Sequence, residues 1–140
     1  MNKSIDFASQ KDMKAMLENA RVIAVVGYSD KPHRTSYQIA KYLSAAGYKV
    51  YPVNPAVDQI EGEKSYASVA DIPETVDIVD VFRRSEFLDG IVEDAVAAGA
   101  KNIWGQLGVF DEQAGMKAVA AGMGVVMDHC IKIEHRRLIR

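Results

Sequence analysis

The stretch VIAVVGYSDKPHRTSY, residues 22–37, opens with five small or β-branched apolar residues and breaks off at Gly27. A short, continuously apolar run bounded by a turn signal is the pattern of a strand covered on both faces. The loop that follows carries hydroxyls at Ser29, Thr35 and Ser36 and cations at Lys31 and Arg34. A helical pattern begins directly after it. A strand, a Gly turn and a helix N-terminus present free N–H groups and the positive end of a helix dipole to one point, which suits an anion. Lys31 and Arg34 add charge of the sign a phosphate needs. The stretch therefore points to a phosphorylated small molecule such as a nucleotide. The plainer alternative is a solvated loop.

Outward from this stretch the chain repeats one joint. LSAAGYKVYPV (43–53), AVAAGAKNIWG (95–105) and AVAAGMGVVMD (118–128) each read as an Ala-rich helix end, a Gly stop and a short strand. Strands are expected over 22–26, 49–53, 77–82, 102–104 and 125–127. Helices are expected over 9–19, 36–46, 86–98, 111–121 and 131–140. Ser85 and Asp111 suit N-caps, and Thr35 with Gln38 resembles a capping box. Residues 56–74 are the least periodic and are expected to cross an edge of the sheet, with one helical turn within 66–73. Alternating strands and helices imply an α/β, doubly wound fold. The expectation is a five-stranded parallel sheet in the order 3-2-1-4-5, with helices on both faces and ligand at the carboxyl ends of the strands. Residues 1–140 read as one domain, with residues 1–20 as a leading helix packed on it.

Composition bounds the partners. The 140 residues suffice for one core, and 49% hydrophobic with 26% charged residues is ordinary for a globular chain. A net charge of −2 argues against nucleic-acid binding through bulk electrostatics. No apolar run approaches the ~20 residues that span a bilayer, and residues 1–13 lack the apolar core of a signal peptide. A single cysteine, Cys130, excludes an intrachain disulfide and fits a reducing cytoplasm. A cytoplasmic location with no membrane partner is the expectation.

Several strand ends carry candidate ligand groups. After Gly27 the fingerprint G-x-G-x-x-G fails at Ser29 and Pro32, and no carboxylate ends the second strand. An ordinary NAD site is thereby disfavoured. Val53, Asn54 and Pro55 close the second strand, where Asn54 offers amide groups to a ribose or base; the alternative is a strand-ending turn. Val81, Phe82 and Arg83 end the third strand and suit a purine pocket with a phosphate contact; the alternative is a core strand whose Arg83 snorkels outward. Gln106, in the Gly105–Gly108 turn, faces a ligand or sits in a tight turn. Asp128, His129 and Cys130 resemble a thiol site on paper, but sequence neighbours generally point apart. No spacing supports a metal site.

These pieces together carry a resemblance. GYSDKPHRTSY (27–37), YPVNP (51–55), DIVDVFRRSE (77–86), KNIWGQLGV (101–109) and VVMDHCIKIE (125–134) resemble the small stand-alone CoA-binding domain family. That family is similar to the N-terminal CoA-binding domain of the succinyl-CoA synthetase α subunit. The resemblance covers residues 20–138 and implies a Rossmann-like domain holding coenzyme A by its nucleotide half. It implies that Gly27, Ser29, Arg34 and Ser36, with Lys31, lie near the pyrophosphate. Val53, Asn54 and Pro55 would face the adenosine. Val81, Phe82 and Arg83 would border the adenine and its phosphates, and Gln106 would lie towards the pantetheine. The synthetase carries a lysine shortly after the matching proline, for the 3′-phosphate; here Ala56 and Val57 follow Pro55. Binding of CoA or an acyl-CoA without catalysis is the leading expectation. An atypical NAD(H)-binding redox sensor and a Cys130-dependent thiol enzyme are the alternatives.

Overall fold

The structure is a computed structural model and describes residues 7–139. Five parallel strands form the sheet: β1 (Val22–Val26), β2 (Lys49–Val53), β5 (Ile78–Val81), β6 (Asn102–Gly105) and β7 (Gly124–Val126). A short antiparallel pair, β3 (Gln59–Ile60) and β4 (Glu63–Lys64), stands apart from it. The helices are α1 (Gln10–Asn19), α2 (Thr35–Ala45), α3 (Leu88–Ala97), α4 (Glu112–Ala120) and α5 (Ile131–Leu138). The fold is Rossmann-like. Residues 1–6 of the expected leading segment and Arg140 of the expected last helix lie outside the described residues.

Every side chain of β1 is buried, as a central parallel strand requires. Alternation along the strands makes two apolar layers. Ala24, Val26, Val79, Val81 and Ile103 pack with Leu88, Val92 and Ala95 of α3 and with Ala114 and Ala118 of α4. Ile23, Val25, Ile78 and Trp104 pack with Met13 and Leu17 of α1, Ile39 and Leu43 of α2, and Ile131 of α5.

The strand order is β2-β1-β5-β6-β7, or 2-1-3-4-5 in order along the chain. This corrects the expected 3-2-1-4-5: the third sheet strand pairs with β1, not with β2. The cause is the face on which residues 67–77 return to the sheet. Helix α2 carries the chain from β1 to β2 on one face, whereas Val69 and Val76 pack into the layer of α3 on the other. Right-handed crossovers on opposite faces step in opposite directions across a sheet. The edge of β2 is meanwhile taken up by Tyr66, whose N–H donates to the Pro52 carbonyl (3.0 Å) and whose carbonyl accepts from Asn54 N–H (2.9 Å). The switch point consequently falls between β1 and β5.

Local expectations divide. Gly47, Gly99 and Gly122 end α2, α3 and α4 with positive φ, and Asp111 caps α4 by accepting from Ala114 N–H. The helical turn within 66–73 is a 3₁₀ turn, Val69–Asp71. Helix α1 gains a capping box from Ser9 and Asp12. Ser85 does not cap α3; its hydroxyl donates to the Gly108 carbonyl (3.2 Å) and accepts from Phe110 N–H (2.9 Å), joining two loops. Arg34, not Thr35, stands at the N-cap of α2, and no side chain caps it. Gln38 instead donates to the Pro32 carbonyl.

Asp80 breaks the apolar pattern. It lies in mid-β5, beside Val25 and Trp104 in register, fully buried, and neither carboxylate oxygen has a hydrogen-bond partner among the described residues. Desolvation raises its pKa well above the ordinary 3.8. The folded state therefore holds a proton that the unfolded state releases. The stability from this group is complete below about pH 3.8 and is lost as pH rises towards the folded-state value. Asp80→Asn is expected to flatten that decline, and Asp80→Val to stabilise the protein by ~1–3 kcal/mol at neutral pH. Urea unfolding at a series of pH values checks both. Parallel curves for wild type and Asp80→Asn would refute the assignment.

Candidate functional site

The carboxyl ends of β1, β2 and β5 meet at one rim. Gly27 N–H donates to the Val53 carbonyl at 2.9 Å, and Phe82 N–H to the Val26 carbonyl at 2.8 Å. Gly27 has φ +87, and a Cβ there would lie 2.8 Å from the Phe82 carbonyl oxygen and 3.2 Å from Arg83 Cδ. Only glycine satisfies both the left-handed turn and this approach. Asn54 ties the second strand end to the first loop: its Nδ2 donates to the Tyr28 carbonyl, and its Oδ1 accepts from Ala56 N–H, both at 2.9 Å. Tyr28 is buried, with its ring edge-on to Tyr37, and burial pushes its phenol pKa up.

Loop 27–36 is built largely by its own hydroxyls. Ser36 is buried and accepts from Ser29 N–H (3.0 Å), while Ser29 Oγ accepts from Lys31 N–H (3.1 Å). The first N–H groups of α2 have no intrahelical acceptor, and no side chain caps them. Lys31 and Arg34 are exposed there.

Two grooves run down from this rim on opposite faces of the sheet. The first, about 540 Å³, is lined by Gly27, Val53, Asn54 and Pro55 on one side and by Arg83, Phe87, Ile91 and Asp94 on the other. The second, about 510 Å³, is lined by Thr35, Ile39, Phe82, Arg83, Gln106, Leu107 and Cys130. Arg83 borders both, its guanidinium 4.3 Å from the centre of the Phe87 ring. Arg84 stands 5.8 Å from the same ring. Both volumes fall in the ordinary range for small-molecule sites. A third cavity, about 560 Å³, lies at the other end of the sheet, beneath α1. It shares no residue with the rim, and its lysine, Lys101, is paired with Asp77 at 3.6 Å.

The residues singled out from sequence thus separate. Gly27, Val53, Asn54, Pro55 and Arg83 come together at the first groove. Phe82 and Gln106 lie on the second groove, across the sheet from Asn54. Val81 is fully buried in the α3 layer and lines neither. Ser29, Lys31 and Arg34 of the first loop and Ser36 of α2 line neither groove. Gln106 is itself buried, and its Oε1 accepts from Ile131 N–H (3.1 Å) at the start of α5. Asp128 adopts φ +61 and accepts from Gly108 N–H at 2.7 Å, so it braces the second groove. His129 lies 3.5 Å from Glu134, and Cys130 is buried at the N-cap of α5. Sequence reasoning missed Phe87, Ile91 and Asp94. They recur at i, i+4 and i+7 from the N-cap of α3, the spacing of one helix face, next to the face of the buried Leu88, Val92 and Ala95.

Fold and rim together define a Rossmann-like protein with a glycine loop at its switch point. The chain belongs to the CoA binding domain family, whose profile matches residues 21–136. It is 42% identical over 127 residues to the uncharacterized protein YneT of Bacillus subtilis, covering 91% of this chain and 94% of that one. It is 35% identical over 86 residues to the alpha subunit of the ADP-forming acetate–CoA ligase II of Pyrococcus furiosus, covering 61% of this chain but 19% of the ligase subunit. A hypothetical protein from Pyrococcus horikoshii has a solved structure that superposes with a TM-score of 0.93 at 38% identity, covering 100% of this chain and 99% of that one.

Gly27→Ala is expected to destabilise the protein by ~1–3 kcal/mol, since the added methyl meets backbone in a strained conformation. Chemical denaturation measures this. A loss below ~0.5 kcal/mol would show that the strand end relaxes freely.

Proposed function

We propose that this chain binds coenzyme A or an acyl-CoA through its nucleotide diphosphate, without catalysis of its own. The position of Arg83 carries the reading: one guanidinium borders two grooves that leave a single anion-suited rim on opposite faces. Coenzyme A has that shape, with a diphosphate joining an adenosine to a long, uncharged arm. The first groove offers the adenosine Pro55, Ile91 and the Arg83–Phe87 pair, a flat aromatic and cationic surface for a base. The loop 27–36, the α2 N-terminus and Arg83, with Lys31 and Arg34 nearby, take the diphosphate. The second groove offers the arm Ile39, Phe82 and Leu107 and ends near Cys130. Asn54 acts by holding the loop, because both ends of its amide are already bonded.

Ligand binding to the native state raises its stability by RT ln(1 + [L]/Kd), ~2.7 kcal/mol at a hundredfold excess over Kd. CoA is therefore expected to raise the melting temperature, and NADH to leave it unchanged. Arg83→Ala and Arg34→Ala are each expected to weaken CoA binding about tenfold or more, from loss of a charge-assisted contact of ~1.5–3 kcal/mol. Calorimetric titration measures this. A shift with NADH and none with CoA would replace this reading with a nicotinamide-nucleotide site.

The place of Cys130 on the second groove favours one further reading, a thiol that meets the arm of the ligand. It predicts rapid alkylation that CoA blocks. Slow alkylation, indifferent to CoA, removes it.

A further inference from the structure

Gln106 has one end of its side chain in use and the other free. The residue is buried and its backbone is held on both sides: its N–H donates to the Val81 carbonyl (3.3 Å) and its carbonyl accepts from Val109 N–H (2.8 Å). Its Oε1 accepts from Ile131 N–H at 3.1 Å. A backbone N–H accepts nothing, so this bond fixes which end of the carboxamide is oxygen. None of the described residues accepts from Nε2. Among the described residues, the enclosed side-chain atoms that lack a partner are both on Asp80. Nε2 is therefore open to the second groove, which Gln106 lines. The bond to Ile131 sets the carboxamide at the start of α5, whose N-cap, Cys130, lines the same groove. No carboxylate is among the described residues that line it. N–H donors held rigidly between apolar walls suit a carbonyl oxygen, which accepts and donates nothing. Once a ligand excludes water from the groove, a donor left without an acceptor costs affinity.

We infer that Gln106 is a specificity-determining residue of the second groove, its Nε2 donating to a carbonyl oxygen on the arm of the ligand. The inference rests on the arm lying in this groove, as proposed above. Such a carbonyl has two sources: the amides of the arm, which CoA and acyl-CoA share, and the thioester, which acyl-CoA alone carries. Gln106→Glu isolates the donor. It keeps an oxygen for Ile131 N–H and replaces the free N–H group with a second acceptor. The helix terminus and that N–H both favour the ionised carboxylate.

Calorimetric titration of the full chain with CoA, acetyl-CoA and 3′-phospho-ADP, which is CoA without its arm, tests this at pH 8. In Gln106→Glu, CoA or acetyl-CoA is expected to bind about tenfold more weakly, as a donor is lost and an acceptor faces an acceptor. The affinity for 3′-phospho-ADP should stay within about twofold, because the nucleotide does not meet Gln106. Equal losses for CoA and acetyl-CoA assign the contact to an amide of the arm, and a larger loss for acetyl-CoA assigns it to the thioester. In the wild-type chain, the side-chain amide protons of Gln106 should shift in the NMR spectrum with the ligand that makes the contact and not with 3′-phospho-ADP. This second measurement needs no variant and decides the matter should Gln106→Glu fail to fold. Unchanged binding of both CoA and acetyl-CoA to folded Gln106→Glu, or an equal loss for all three ligands, would overturn the inference and leave the CoA reading standing. Amide protons that respond to neither CoA nor acetyl-CoA, bound to the wild-type chain, would do the same. Binding of none of the three to the wild-type chain would overturn the CoA reading and this inference with it.

Discussion

The constraint on which the rim depends is the fit of Gly27 between two neighbouring strands. Its N–H is held by the Val53 carbonyl, and the space a side chain would need is filled by the Phe82 carbonyl and Arg83. Three strand ends are locked together there with no room for a single methyl group. The close approach depends on β5 lying beside β1, which depends in turn on Val69 and Val76 bringing the chain back along the face opposite α2. One backbone contact therefore couples the topology of the sheet to the shape of its rim.

The rim differs from a dinucleotide fingerprint in how its N–H groups are used. Where further glycines would leave backbone donors facing outward, Ser36 and Ser29 turn inward and bond Ser29 N–H and Lys31 N–H. The loop is thereby stiffened by its own hydroxyls, and Asn54 anchors it to β2. A loop braced in this way would need less ordering were an anion to bind there. The second groove is braced in the same manner by Asp128 and Ser85, whose bonds to the Gly108–Phe110 turn fix the wall opposite Phe82. Membership of the CoA binding domain family accords with this rim. The acetate–CoA ligase subunit matches over a small part of its own length. Its similarity concerns one portion of a larger enzyme.

Asp80 is the exception within the core. A buried, unpartnered carboxyl costs free energy that an apolar residue would not. It sits on the strand that delivers Phe82 and Arg83 to the rim, two residues before Phe82, between the apolar neighbours Val25 and Trp104. Strand periodicity explains which face it occupies, and nothing in the structure explains why that face needs a carboxyl at this position.

The apolar run 22–26, the three helix–glycine–strand joints and the Asp111 cap were legible because each depends on residues close along the chain: periodicity, a left-handed stop, a side chain reaching three residues ahead. So was the gathering of Gly27, Val53–Pro55 and Arg83 at one rim, since any parallel α/β sheet brings its strand ends together. Their sorting was not legible. Whether β5 flanks β1 or β2 turns on the face taken by an irregular segment, and hydrophobic periodicity carries no information about that choice. The use of Gln106 to hold α5 and the arrival of Asp94 at the first groove are likewise contacts between residues far apart in the chain. Local chemistry in the sequence determined the elements and the kind of rim they make. Which groups share a groove was decided by contacts between residues far apart in the chain, and those exist only once the layers have packed.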